Sequence, residues 1–392
     1  MSQLLLFPDS AGCAEMAGLE PFRDSIGLDE LFQAYFDCRR NKRASASALD
    51  FESDYETRLI DLHREINDGS YQPGRSIAFI VNKPVKREIF AADFRDRVVH
   101  HLVINKMNHL FEKEFIYDSY SCRIGRGTHL GIRRIDRFVR QCSENHSRDC
   151  HILKLDIQGF FMHINRNTLF AALRDFLVAH YTGQDRETLV ELCRKIIHRD
   201  PASDCVIKGR RSAWEGLPPN KSLFHSPPGC GLPIGNLTSQ VFANFYLNSF
   251  DHFVKHDLGV RFYGRYVDDI VIVHQDRAFL AALVPQIRDF LSADLGLTLH
   301  PKKISLGHFH NGVKFLGAVI KPGHILVAAR TKGNFHLAID RHNAVAEDHK
   351  PDKSERAAFL ASMNYRLLPT KIRMASVSSS QSWPKRLARI SR

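Results

Sequence analysis

Residues 260–273 read Val-Arg-Phe-Tyr-Gly-Arg-Tyr-Val-Asp-Asp-Ile-Val-Ile-Val: two largely apolar runs, 260–263 and 270–273, with Asp268 and Asp269 between them. The pattern predicts a β-hairpin with both acids at its tip. Adjacent carboxylates at a tight turn repel each other, and a pair of divalent cations would remove that cost. Asp is also common in ordinary turns. The tetrapeptide Tyr266-Val267-Asp268-Asp269 therefore acquires meaning only if a third carboxylate lies elsewhere in the chain.

Asp156 is that carboxylate. Residues 152–156 read as a short strand, and side chains alternate across a strand, so Leu153 and Leu155 share one face and Lys154 and Asp156 the other. The apolar pair suits packing on helices and the charged pair suits a ligand. After Asp156 comes Ile157-Gln158-Gly159-Phe160-Phe161. Nucleotidyl transfer by two Mg²⁺ ions needs two or three hard oxygen donors of this kind, with Mn²⁺ as a possible substitute.

Outward from these segments the chain alternates helical and extended patterns. Helices are expected over much of 28–67 and over 93–111, 167–179, 186–198, 237–257 and 279–293. Short strands are expected at 76–81, 86–91, 304–306, 313–320 and 324–327. The stretch 200–230 is rich in Pro and Gly and reads as a loop or small insertion. The order is α+β, compatible with an antiparallel sheet backed by helices. The expected division is a leader at 1–26, a main body at 27–330, and a helical basic end at 331–392 that includes Lys385, Arg386, Arg389 and Arg392.

The chain has 392 residues and a formal net charge of +12, which suits a polyanionic partner and favours nucleic acid over an anionic membrane. No apolar run is long enough to span a bilayer. Eight cysteines include no C-x-x-C pair, which argues against a zinc ribbon and favours reduced thiols in a cytoplasmic protein.

The motif Lys-Leu-Asp-Ile-Gln-Gly-Phe-Phe (154–161) resembles the first palm motif of reverse transcriptases, and Tyr-Val-Asp-Asp (266–269) resembles their second carboxylate motif. Residues 82–97, 118–127, 297–303 and 313–317 resemble further blocks of that family in the expected order. The resemblance implies a right-hand polymerase, with fingers, an antiparallel palm sheet backed by helices, and a helical thumb. It implies Asp156 and Asp268 as metal ligands, joined by the Ile157 carbonyl, with Asp269 secondary to them. It implies Lys83 and Arg87 as triphosphate contacts, although Lys86 competes with Lys83. Backbone N–H groups of Gly159 and Phe160 would face phosphate, and Phe161 would exclude a ribose 2′-hydroxyl. Lys303 would serve at the leaving pyrophosphate, with Lys302 an equal competitor on physical grounds. Phe315, Leu316 and Gly317 would form the primer grip.

One departure narrows the family. Group II intron and retron enzymes carry Gln-Gly-x-x-x-Ser-Pro before the hairpin, whereas this chain has Ile234-Gly235-Asn236-Leu237-Thr238-Ser239-Gln240. Ile234, Gly235 and Gln240 in this nucleotide-contacting loop resemble the reverse transcriptases of diversity-generating retroelements. That resemblance implies copying of a template-repeat RNA into cDNA from dNTPs, misincorporation at template adenines, an RNA/cDNA duplex in the cleft, and a small basic accessory protein. Another bacterial reverse transcriptase, or a non-catalytic RNA-binding scaffold with a polymerase-like fold, is the alternative.

Overall fold

The computed structural model describes residues 26–40, 45–82 and 85–348, with side chains described as far as 340. Lys83, the expected leader up to residue 25, and the basic end beyond 348 lie outside the described residues.

The chain opens with helices α1 (Leu28–Arg39), α2 (Ala46–Glu52) and α3 (Tyr55–Asn67), then the antiparallel pair β1 (Ser76–Val81) and β2 (Arg87–Ala91). Next come α4 (Phe94–Glu114), α5 (Thr128–Cys142) and β3 (His151–Asp156). Three helices follow, α6 (Phe160–His163), α7 (Arg166–His180) and α8 (Arg186–His198), then β4 (Cys205–Ile207). Helices α9 (Leu237–Tyr246) and α10 (Asn248–His252) lead into the hairpin β5 (Phe262–Tyr266) and β6 (Asp269–His274). The last described elements are α11 (Arg277–Leu295), β7 (Ser305–His308), β8 (Val313–Phe315), β9 (Ala318–Lys321), β10 (His324–Val327) and α12 (Ala329–Asp348). Several helix starts are capped by short polar side chains. Asp93 accepts from the Arg95 amide, Asn165 from the Asn167 and Thr168 amides, and Asp276 from the Ala278 amide.

The central sheet runs β5-β6-β3-β7, and each neighbouring pair in it is antiparallel. Both faces are buried. Leu153, Leu155, Ile270 and Ile272 join the large core built with the helices, while Ile152, Val271 and Val273 pack with Phe138, Phe309, Phe315 and Ile320 in a second core. The alternation expected for residues 152–156 is thus present, and the face carrying Lys154 and Asp156 is apolar at its far end. A two-faced sheet of this kind holds its register strongly, because a one-residue slip would exchange the contents of two cores.

Three expectations need correction. The 200–230 stretch is more than a loop, because its β4 pairs in parallel with β1 and completes the sheet β2-β1-β4. Residues 313–320 form two strands joined by a tight turn at Leu316 and Gly317, whose φ angles of 48° and 82° are both left-handed. Such a pair matches the twist of a two-residue hairpin. The helix expected over 237–257 breaks at Leu247 (φ −92°, ψ 6°) and ends in a π-helical turn over Phe253–Asp257.

Candidate active site

The hairpin tip is a two-residue loop, Val267 and Asp268, closed by the pairing of Tyr266 with Asp269. Val267 has φ 55°. A β-branched residue in the left-handed region is strained, so the surroundings must impose the conformation. Arg265, which is fully buried, supplies one restraint by donating to the Val267 carbonyl at 3.0 Å. The same guanidinium is paired with buried Asp251 at 2.6 and 2.5 Å. Tyr263 also donates to Asp251, and Arg265 makes long contacts to Ser119 Oγ and the Asn244 carbonyl, 3.4 Å each. Residues 118–120 run beside β5, with the Arg265 amide on the Asp118 carbonyl and the Tyr120 amide on the Arg265 carbonyl, 2.9 Å each.

Strand register brings the third acid to this tip, since Asp156 is the direct partner of Asp269 across β3 and β6. Beyond Asp156 the chain pairs on its other side with residues 298–300. The Gln158 amide donates to the Thr298 carbonyl and the His300 amide to the Asp156 carbonyl, 2.8 Å each. Those bonds flank Ile157 and leave its own carbonyl on the hairpin side of the strand. The same pairing carries the 301–304 turn over the site. Lys302 and Lys303 are both exposed, and it is Lys303 whose Nζ lies 2.9 and 2.8 Å from the two Asp156 oxygens. Lys154 Nζ is 2.9 Å from Asp269 Oδ1.

Burial first, then the charges of Asp156 and Asp269, push Asp268 up to about pKa 6. Burial likewise raises Asp269, with Lys154 opposing it. Among the described residues no three His, Cys, Asp or Glu side chains form a ready metal cage; Lys303 holds Asp156 and Lys154 holds Asp269. The donor chemistry nevertheless fits a hard divalent cation, because Asp156, Asp268 and the Ile157 carbonyl offer oxygen only, and positive charge would relieve the repulsion felt by Asp268.

On the fingers side, the Ile234 carbonyl accepts from the Phe90 amide at 2.9 Å and Asn236 Oδ1 accepts from the Ala92 amide at 3.0 Å. The 234–236 loop is therefore stitched to β2. Gly235 (φ 129°) sits so close to that strand that a Cβ would meet Ile89 Cγ2 at 2.8 Å and the Phe90 carbonyl at 3.3 Å. The half-buried side chains of Ile234 and Phe161 pack on one apolar cluster with Ala78, Phe90, Met162 and Leu223. Gly159 is left-handed (φ 55°), and a Cβ there would strike the Asn220 carbonyl at 2.7 Å.

A family model described as "Reverse transcriptase (RNA-dependent DNA polymerase)" matches residues 82–320. This chain belongs to that reverse transcriptase family. Protein YkfC of Escherichia coli K12 is 24% identical over 305 residues, covering 69% of this chain and 71% of the relative. Among solved structures, apo telomerase from Candida tropicalis, truncated of its C-terminal domain, aligns with TM-score 0.47 and 13% identity over 64% of this chain and 55% of its own. Telomerase from Candida albicans with a fragment of telomeric RNA aligns with TM-score 0.45 and 11% identity, over 70% and 51% respectively. The chain thus spans about half the length of these telomerase chains.

Arg87 is exposed at the start of β2 and its charge reaches Tyr266, whose hydroxyl is raised by burial and Cys122 and lowered by Arg87. Lys86, the competitor of Lys83, is tied to the Glu215 carbonyl at 2.6 Å. Gln240 is exposed and accepts from the Cys122 thiol at 3.2 Å. Phe160 is buried in the main core, so any phosphate contact it makes is through backbone. Phe315 is buried in the second core, while Leu316 and Gly317 form the turn, and the Gly317 carbonyl accepts from the Ala328 amide at 2.9 Å and the Thr331 hydroxyl at 3.1 Å.

Four residues that position the site were not singled out as site residues from the sequence: Arg265, Asp251, Lys154 and Glu88. Glu88 is buried on β2 and accepts from Trp214 Nε1 at 2.6 Å, Ser222 Oγ at 2.7 Å and the Leu223 amide at 2.5 Å, which anchors the 211–223 segment beside Arg87. For Arg265, Lys154 and Glu88 the available signal was a charged residue inside a strand, whereas Asp251 lies on α10 and carries no such mark. Among the described residues no helix is long and apolar enough to cross a membrane.

Proposed function

We propose that this reverse transcriptase copies a template-repeat RNA into cDNA for a diversity-generating retroelement, with low fidelity at template adenines. The observation that carries the reading is the environment of Ile234. Its side chain adds to an apolar cluster with Phe161 and offers the incoming nucleotide no hydrogen bond, where intron and retron enzymes have Gln. A correct pair then gains less over a wrong one, and about 1.4 kcal/mol is a factor of ten in discrimination.

In the proposed mechanism Asp156, Asp268 and the Ile157 carbonyl would hold the cations, with Asp269 secondary, and two Mg²⁺ ions bound there would supply activation of the primer 3′-hydroxyl and charge neutralisation at the triphosphate. Arg87, with Lys83, clamps the phosphates, and the guanidinium can do so with two parallel hydrogen bonds. Gly159 lets the backbone approach phosphate closely, and Phe161 excludes a 2′-hydroxyl by bulk. Gln240 lines the nucleotide loop. Lys303 leaves Asp156 to donate a proton to the departing pyrophosphate. The 316–317 turn grips the primer end. The net charge of +12 suits the RNA template and the RNA/cDNA duplex, and a small basic accessory protein and a cytoplasmic location belong to the same reading.

Primer extension on an adenine-containing RNA template tests the proposal. The wild type should misincorporate opposite adenine more than opposite other bases, and Ile234→Gln should reduce those errors. An unchanged error spectrum in that variant would sink the assignment of infidelity to Ile234.

A further inference from the structure

Lys154 lies two residues before Asp156 on the same face of β3, and its ammonium meets two other elements. It is 2.9 Å from Asp269 Oδ1, at the start of β6, and donates at 2.8 Å to the Lys314 carbonyl, in β8 of the primer-grip hairpin. Asp269 Oδ1 is itself buried without a hydrogen-bond partner, and the ammonium 2.9 Å away meets it as a charge. One oxygen of the second hairpin acid therefore faces an internal cation and is closed to solvent. Burial and the charge of Asp156 raise both hairpin acids, and Lys303 opposes this at both; Asp269 in addition has the Lys154 ammonium in contact.

We propose that Lys154 is a positioning residue that takes Asp269 out of direct competition for the catalytic cations and ties the carboxylate end of β6 to the primer-grip strand β8. The inference rests on the polymerase reading and deepens it. Asp269 then acts as an anchor, leaving Asp156 and Asp268 as the ligand pair. The primer end, held by the 316–317 turn, keeps a fixed distance from that pair because a single side chain spans both sheets. Lysine suits the role because its long apolar stem can run over buried surface while its head meets two acceptors. Arginine would reach the same acceptors with a wider, planar head.

The test uses full-length Lys154→Met and Lys154→Arg. Mn²⁺ binding is followed by loss of its free-ion paramagnetic signal, without nucleic acid. Removing the ammonium frees a carboxylate and a unit of negative charge, so Lys154→Met should bind Mn²⁺ up to about fivefold more tightly, the range expected from one partly exposed ion pair. In single-turnover primer extension the same variant should lose roughly tenfold or more in rate, as for a displaced reacting group, with dNTP KM little changed. Lys154→Arg should recover part of the rate. Unchanged Mn²⁺ affinity in Lys154→Met would overturn the proposal, whatever the rate. Lower melting stability with rate and affinity intact would reduce Lys154 to a structural tie and overturn it equally. If the wild type extends no primer, the polymerase reading fails, and the Mn²⁺ measurement still decides whether Lys154 withholds Asp269.

Discussion

Replacing Asp268 by Asn should make the protein more stable while abolishing its chemistry. Burial, with Asp156 and Asp269 close by, raises the Asp268 pKa from its ordinary 3.8 to about 6. A carboxyl whose folded pKa is raised holds its proton more tightly in the folded state. Its contribution to stability is therefore fully present below the unfolded pKa near 4 and is lost as pH rises through about 6. The shift is roughly two units, at 1.36 kcal/mol each, so the ionised carboxylate costs about 3 kcal/mol at pH 7.5 and about half of that at pH 5. Asn has nearly the same shape and no charge. In urea denaturation with EDTA, Asp268→Asn should gain up to about 3 kcal/mol at pH 7.5, with a smaller gain at pH 5. Excess Mg²⁺ should narrow the difference by stabilising the wild type, because a ligand that binds only the folded state adds to its stability. Equal stability of the two proteins at pH 7.5 without divalent ions would refute the claim that Asp268 is held in a repulsive, desolvated site.

Other perturbations follow from the same geometry. Asp268→Ala combined with Asp269→Ala should eliminate Mg²⁺-dependent cDNA synthesis while the circular dichroism spectrum stays native. Asp251→Ala strands the buried Arg265 guanidinium and should cost about 3–5 kcal/mol in chemical denaturation, whereas converting both residues to apolar ones of similar volume should cost much less. Glu88→Ala leaves the Trp214, Ser222 and Leu223 donors without their acceptor and should destabilise by about 2–4 kcal/mol, with a raised KM for dNTP, since the 211–223 segment beside Arg87 loosens. Gly235→Ala forces a Cβ against Ile89 at a positive φ and should lower kcat/KM for dNTP incorporation by more than tenfold, with a smaller loss in melting temperature.

The acids were readable because the physics that places them is local. Residues 260–273 set two acids between two largely apolar runs, a local hairpin pattern, and 152–156 separates its apolar and charged faces by simple strand parity. Their mutual register, Asp156 opposite Asp269, depends on two cores filling both faces of the sheet, and no single segment states that. The 313–320 run looked like one strand because its apolar residues continue through the turn. Gly317, next to a residue forced left-handed, was the overlooked breaker. β4 escaped notice because three residues among many Pro and Gly carry too little pattern to register. Arg265 is a charge in a largely apolar strand, but its partner Asp251 lies on a preceding helix, and nothing in the spacing links them. Strand parity puts Lys154 on the ligand side, while its ties to β6 and β8 are products of tertiary packing.

The neighbours of β3 also bear on how the protein comes into being. Its partners are β6, which begins at Asp269, and β7, which ends at His308, so the strand that carries Asp156 waits for more than a hundred further residues before either edge can close. A ribosome that has delivered the first catalytic acid has not delivered the surface that fixes it. Pairings over such separations are slow, since the intervening chain must lose its freedom before the contacts form. The completed site is therefore a late event of folding, and nascent chains that stop short of β6 carry Asp156 with no partner acid. Catalytic competence and completion of the central sheet arrive together, which makes cDNA synthesis itself a sensitive reporter of whether this fold has closed.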